Sequence, residues 1–284
     1  MKPLHRYLPS ILLITLLASG CTEKVDVKLD NTYTRLVVDG FIGSDSTVYT
    51  VNLTKTADYF YNQPAPRVVN AEVTLTDGFE TYPLTETEPG SSGVYRTAAG
   101  FKGTAGRDYT VQIRLAEEID GTRDYSATCR MNPVTKLDSI RTEFQPDWGP
   151  DGIWEVQVFA QEPGDETNFY LFQLYRNGVL LTDSIQKYMI SDDVYFNGNY
   201  ITGATAMYFS NSDPNQSIAP GDTIVVKMSG ISKEYYDFIY QVQMAGFNIP
   251  FFSAPPANVK GNIDHDGVGF FAAYSSSYAG TRVK

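Results

Sequence analysis

Catalytic chemistry in this 284-residue chain has few of the usual parts to draw on. There are two histidines, His5 and His265, and two cysteines, Cys21 and Cys129. A Ser-His-Asp or Cys-His site would have to use His265, because His5 sits in the basic start of the chain. A His-rich zinc site cannot be assembled, and one further cysteine does not replace it. There is no Gly-x-Ser-x-Gly elbow, no phosphate-binding loop and no dinucleotide fingerprint, so no cofactor is implied. Asp264-His265-Asp266-Gly267 is the segment that most resembles a ligand loop. Two aspartates two apart before a glycine can begin a Ca²⁺ loop, which makes Asp264 and Asp266 the metal candidates. Gly269, Phe270 and Phe271 then stand where further oxygens would be needed. The preferred reading is a tight turn whose Asp side chains accept backbone N–H bonds. Asp192-Asp193 and the segment from Asp213 to Asp222 sit in polar loops and hold calcium only with partners from elsewhere.

Paired carboxylates for glycoside hydrolysis stay open, since 33 acidic residues are present and their separations cannot be read from the chain. Cys129 lies in an alternating run and reads as a small apolar core residue, because a nucleophilic role needs an activating base beside it. The aromatics Tyr59, Phe60 and Tyr61 share one loop, and Trp148 stands between Asp147 and Gly149. Aromatics on loops are common binding anchors; the alternative is that they pack beneath the loop or between domains.

Cys21 has a different character. Lys2, His5 and Arg6 form a basic start, Leu8 to Leu17 is apolar, and Ala18-Ser19-Gly20 precede the cysteine. That is the layout of an export signal, with an apolar run short of the roughly 20 residues that span a bilayer. Small residues just before a cysteine resemble a bacterial lipobox, although Ala18 stands where leucine is usual and Leu17 is one place earlier. The resemblance implies cleavage before Cys21 and lipid on its sulfur, with acyl chains anchoring the product to a membrane. Residues 1–20 are then the signal and 21–32 a polar tether.

The formal charge is −11, and without Lys2 and Arg6 the remainder carries 20 basic and 33 acidic groups. No basic stripe is present, so nucleic acid is not an expected partner. From Tyr33 the pattern changes to period two. Thr47 to Thr54, Val68 to Thr76 and Tyr109 to Leu115 alternate apolar and polar, with Gly, Pro and Asp between the runs. Asp77-Gly78 and Asn177-Gly178 are hairpin signals. Asn132-Pro133 is a natural joint. These features predict a mostly β chain of two consecutive β-sandwich domains, 33–132 and 133–284. One amphipathic helix is predicted over 232–246, from N-cap Ser232 to Gly246, covering the second sandwich.

Several segments in order resemble the Bacteroidota lipoprotein family known as domain of unknown function 4249. They are Leu36-Val-Val-Asp-Gly-Phe-Ile42, Val69-Asn-Ala-Glu-Val-Thr-Leu75, Gly93-Val-Tyr95 and Gly106-Arg-Asp-Tyr-Thr-Val-Gln-Ile113. Late in the chain come Pro255-Pro256-Ala257-Asn258-Val259, Gly261-Asn262-Ile263 and Gly267-Val-Gly-Phe-Phe271. The first half is also similar to prealbumin-like or carboxypeptidase-regulatory Ig-like sandwiches. The family resemblance implies an outer-membrane-associated, non-enzymatic binding protein, with a TonB-dependent transporter in nutrient uptake as the suggested partner. A glycan- or peptide-acting hydrolase and a purely structural or adhesive surface protein are the alternatives.

Overall fold

The computed structural model describes residues 34–57, 63–164, 166–210, 217–246 and 259–284. Thr34–Lys284 forms one compact unit. In the first half the strands are β1 (Leu36–Gly43), β2 (Thr50–Lys55), β3 (Glu72–Thr76), β4 (Thr81–Glu86), β5 (Val94–Arg96), β6 (Asp108–Ile119) and β7 (Thr122–Arg130). They lie in the order β1-β2-β5-β4-β3-β6-β7. The alternation points Leu36, Val38, Val51, Leu53, Val73, Leu75, Val111 and Ile113 inward, each no more than 2% exposed. These side chains come from both ends of the strand path and share one core, so the sheet curls over itself. The short β4–β5 pairing, Thr85 with Arg96 and Glu86 with Tyr95, falls where the curl turns.

The second half holds β8 (Leu137–Gln145), β9 (Ile153–Gln161), β10 (Phe169–Arg176), β11 (Val179–Leu180), β12 (Met189–Asp192), β13 (Tyr200–Ser210), β14 (Thr223–Ile231) and β15 (Val268–Arg282). Strands β13-β9-β8 form a separate three-stranded sheet. Trp154, Val156, Val158, Met207 and Phe209 of that sheet share a core with Phe172, Leu174, Ile224 and Val226 of β10 and β14. The result is a mostly β, sandwich-like architecture. Met131 belongs to the first cluster and Leu137 to the second, while Leu171 and Ile231 of the later strands join the first.

β15 pairs with strands of both halves. Residues 268–274 run parallel to β1, and residues 275–282 run antiparallel to β14. At about 3.3 Å per residue, 15 residues reach about 50 Å. One strand therefore ties the two halves into a single twelve-stranded sheet.

The helix, α1 (Lys233–Ala245), begins as the sequence predicts, with the Ser232 hydroxyl accepting from the Tyr235 N–H. It ends on Gly246 in the right-handed region, not the left-handed cap. Its buried stripe meets the first core rather than the second: Tyr235 and Phe238 lie 4.9 and 5.2 Å from the Phe270 ring, and Ile239 is fully buried. The Phe270 and Tyr274 rings on the first half of β15 receive that stripe, with Tyr235 stacked 6.3 Å from Tyr274. Asn177 and Gly178 take the two positive-φ positions of the β10–β11 turn. The returning segment is broken into β11, a 3-10 turn and β12, because Thr182 spends its hydroxyl on the Leu174 N–H. No helix among the described residues is long and apolar enough to cross a membrane.

Candidate functional site

The outward positions of β3, β6 and β7 are polar because their inward neighbours fill the core. Register sets them in three rows across the sheet. Glu72, Arg114 and Asp124 form the first, with Arg114 Nε 2.7 Å from Asp124 Oδ1. Thr74, Gln112 and Ser126 form the second. Thr110 and Thr128, hydroxyls 2.8 Å apart, belong to the third. Charges of opposite sign directly opposite one another favour this alignment.

The turn at 264–267 stands at the side of this floor. Its Asp264 carbonyl accepts from the Gly267 N–H, and His265 and Asp266 hold positive φ, the geometry of a type I′ turn. Asp264 also clamps the turn to β7. Its carboxylate oxygens accept from the Ser126 N–H at 2.7 Å and the Ser126 hydroxyl at 2.6 Å, while its own N–H donates to the Ser126 carbonyl. Asn262 adds a bond to the Thr128 carbonyl. The edge of β7 is thereby covered from residue 126 to 128, the usual protection of an exposed strand edge.

Floor and turn enclose an open groove of about 470 Å³ lined by Glu72, Gln112, Arg114, Asp124, Asp264 and His265, among others. The His265 ring meets Tyr125 edge-on at 6.2 Å. The groove offers donors from Arg114 and acceptors from Glu72 and Gln112, the equipment for a polar, hydrogen-bonding ligand such as a saccharide or peptide. Its charges are largely matched internally, Arg114 by Asp124 and Asp264 by Ser126.

The other sequence candidates lie apart from it. Trp148 is 45% exposed and leans on Tyr208 at 5.7 Å, on the three-stranded sheet. Tyr59, Phe60 and Tyr61 fall outside the described residues, as does Cys21. Cys129 is buried, and burial pushes its thiol up, away from the reactive thiolate. Asp266 occupies a left-handed turn position at the groove's side. Glu72, Arg114 and Asp124 were not singled out in the sequence. Their alternation marks them as outward-facing, but the register that brings them together is long-range.

No curated protein matches the chain. The family model for the domain of unknown function DUF4249 matches residues 22–278, ending within β15. The chain belongs to the DUF4249 family.

Proposed function

We propose that this is a non-enzymatic binding protein held at the outer membrane by lipid on Cys21, presenting the β3–β6–β7 groove to a polar ligand or partner. Its suggested partner is a TonB-dependent transporter, to which it acts as an accessory in nutrient uptake. The observation that carries the reading is the Ala18-Ser19-Gly20-Cys21 junction after an apolar run, followed by a charged tether that ends where the compact unit begins at Thr34. The groove supports the binding half: it is open, and Arg114, Asp124 and Asp264 in its lining already hold partners. The first half, with Gly93-Val94-Tyr95 and Gly106-Arg107-Asp108-Tyr109 leading into two of its strands, is read as a prealbumin-like sandwich of a Bacteroidota lipoprotein.

A hydrolase acting on glycans or peptides is the competing reading, favoured by three carboxylates, Glu72, Asp124 and Asp264, around one groove. The test is expression in a bacterial host with labelled palmitate, followed by mild detergent extraction. The wild type should incorporate label and bring down a transporter, and Cys21→Ser should do neither. Label that survives Cys21→Ser sinks the anchor. Turnover of a glycan or peptide that Glu72→Gln abolishes sinks the non-enzymatic half.

A further inference from the structure

The loops leaving β9 and β12 meet face to face. Glu162 donates its N–H to the Asn199 carbonyl at 3.0 Å, and Gly198 donates to the Pro163 carbonyl at 3.2 Å. Gly164 and Gly198 pass so closely that a Cβ on Gly164 would lie 3.0 Å from the Gly198 Cα. Between these loops two carboxylates are taken out of water: Glu162 is 1% exposed and Asp193 2%.

Neither has a cationic partner among the described ion pairs. Both oxygens of Glu162 lie within reach of the single hydroxyl of Tyr170, at 2.7 and 2.8 Å. Asp193 Oδ2 accepts from the Asn168 N–H at 2.9 Å. Asp193 Oδ1 has no hydrogen-bond partner, and neither does the buried Asn168 Oδ1. These two are the only such side-chain atoms among the described residues. Burying a charged oxygen without a donor is costly, and two bare oxygens on residues already joined by a hydrogen bond leave a gap in the polar accounting.

We propose that Asp193 Oδ1 and Asn168 Oδ1 are ligands of a calcium ion that closes the β9–β10 loop onto the β12–β13 loop, with Glu162 as the adjoining carboxylate. The donors are all hard oxygens, which select calcium or magnesium over softer metals. Loop-borne oxygens favour calcium, which accepts six to eight ligands in flexible geometry, over magnesium, which demands a near-ideal octahedron. No three Asp, Glu, His or Cys side chains converge among the described residues. Carbonyl and water oxygens must therefore complete the shell, which puts the affinity in the weak range of about 10⁻⁴–10⁻³ M seen in extracellular modules.

The alternative is a rotated Asn168 amide whose NH₂ group satisfies Asp193 without any ion. The two readings differ in sign for Asn168→Asp. A calcium site keeps its ion with the added carboxylate, whereas an ion-free site gains a further buried charge and loses stability. The experiment is equilibrium dialysis of the chelator-treated chain against calcium, with melting followed in parallel. Wild type should bind one ion at this site and melt about 5 °C higher in about 10 mM Ca²⁺, with a smaller rise in Mg²⁺. Asp193→Asn should lose the ion, Asn168→Ala should bind at least about tenfold more weakly, and Asn168→Asp should retain it. A wild type that takes up no calcium, or an Asp193→Asn variant that binds as well as wild type, overturns the proposal.

Discussion

Replacing Gly269 with alanine should cost far more than an ordinary glycine substitution. Gly269 pairs with Val38 where β15 first joins β1, and its φ is +96°. An added Cβ would fall 2.1 Å from the Val38 carbonyl oxygen and 3.0 Å from its carbonyl carbon. Both are backbone atoms, so no side chain can swing aside. The positive φ alone costs about 1–2 kcal/mol for alanine. Relieving the overlap requires β15 to move off β1, and losing two or three ladder bonds at about 1 kcal/mol each brings the total to about 3–5 kcal/mol. Gly106→Ala is the control, because Gly106 also has positive φ, at +86°, but nothing lies within 4 Å of the added atom. It should cost only the conformational part, about 1–2 kcal/mol. At about 2–4 °C per kcal/mol for a chain of this size, Gly269→Ala should melt roughly 6–20 °C lower and Gly106→Ala only a few degrees lower. Urea unfolding of the three proteins side by side measures the difference. If Gly269→Ala loses no more than Gly106→Ala, the close approach of β15 to β1 does not constrain the fold as argued.

Asp264→Ala removes two charge-assisted bonds to Ser126 and should cost about 1–2 kcal/mol. Amide exchange at Ser126 should speed up, and unchanged protection would show that the clamp is not needed. Lys227 is buried over the Tyr274 and Tyr278 rings with Asp45 3.6 Å away. Lys227→Met should be neutral or stabilising in urea titration, while Asp45→Ala should lose about 1–3 kcal/mol by stranding the ammonium; the reverse order refutes the desolvation argument. Burial pushes the Asp77 carboxyl up, but the Glu80 and Phe79 N–H groups and the Arg107 guanidinium outweigh it and hold it below the ordinary range. The stability it contributes is complete above the unfolded value near 3.9 and is lost as pH falls through the folded one. Asp77→Asn should therefore flatten the fall in melting temperature below about pH 4; an unchanged slope would assign acid sensitivity to other carboxylates.

The strand series, the Asn177-Gly178 turn and the Ser232 cap were legible because each is a local pattern: alternation, two positive-φ residues in sequence, a hydroxyl three residues before an orphan N–H. What local pattern could not reveal is pairing across long separations. The run of β15 to Arg282, which links both halves, depends on residues 275–282 pairing with β14. The helix was found by its stripe, but the surface it covers depends on where Phe270 and Tyr274 end up. The groove has the same origin. Glu72, Arg114 and Asp124 are separated by 42 and 10 residues, and only register makes them a row.

Asp264 and Asp193 show why counting acids in a loop is a poor guide to ion binding. Both stand beside a second aspartate in a polar turn, and in sequence Asp264 has the more suggestive surroundings. In the fold, Asp264 is half-exposed, and each of its oxygens accepts from Ser126, one from its amide and one from its hydroxyl. A cation there would compete with those bonds for the carboxylate charge, and water already screens it. Asp193 is 2% exposed, with one oxygen satisfied and the other bare beside a second bare acceptor. A cation there would break nothing and would remove a desolvation cost the loop otherwise carries. The deciding quantity is therefore the number of unfilled lone pairs out of reach of water. By that measure calcium chemistry belongs to the β12–β13 loop, and the Asp264 turn serves to hold the last strand and the rim of the groove in place.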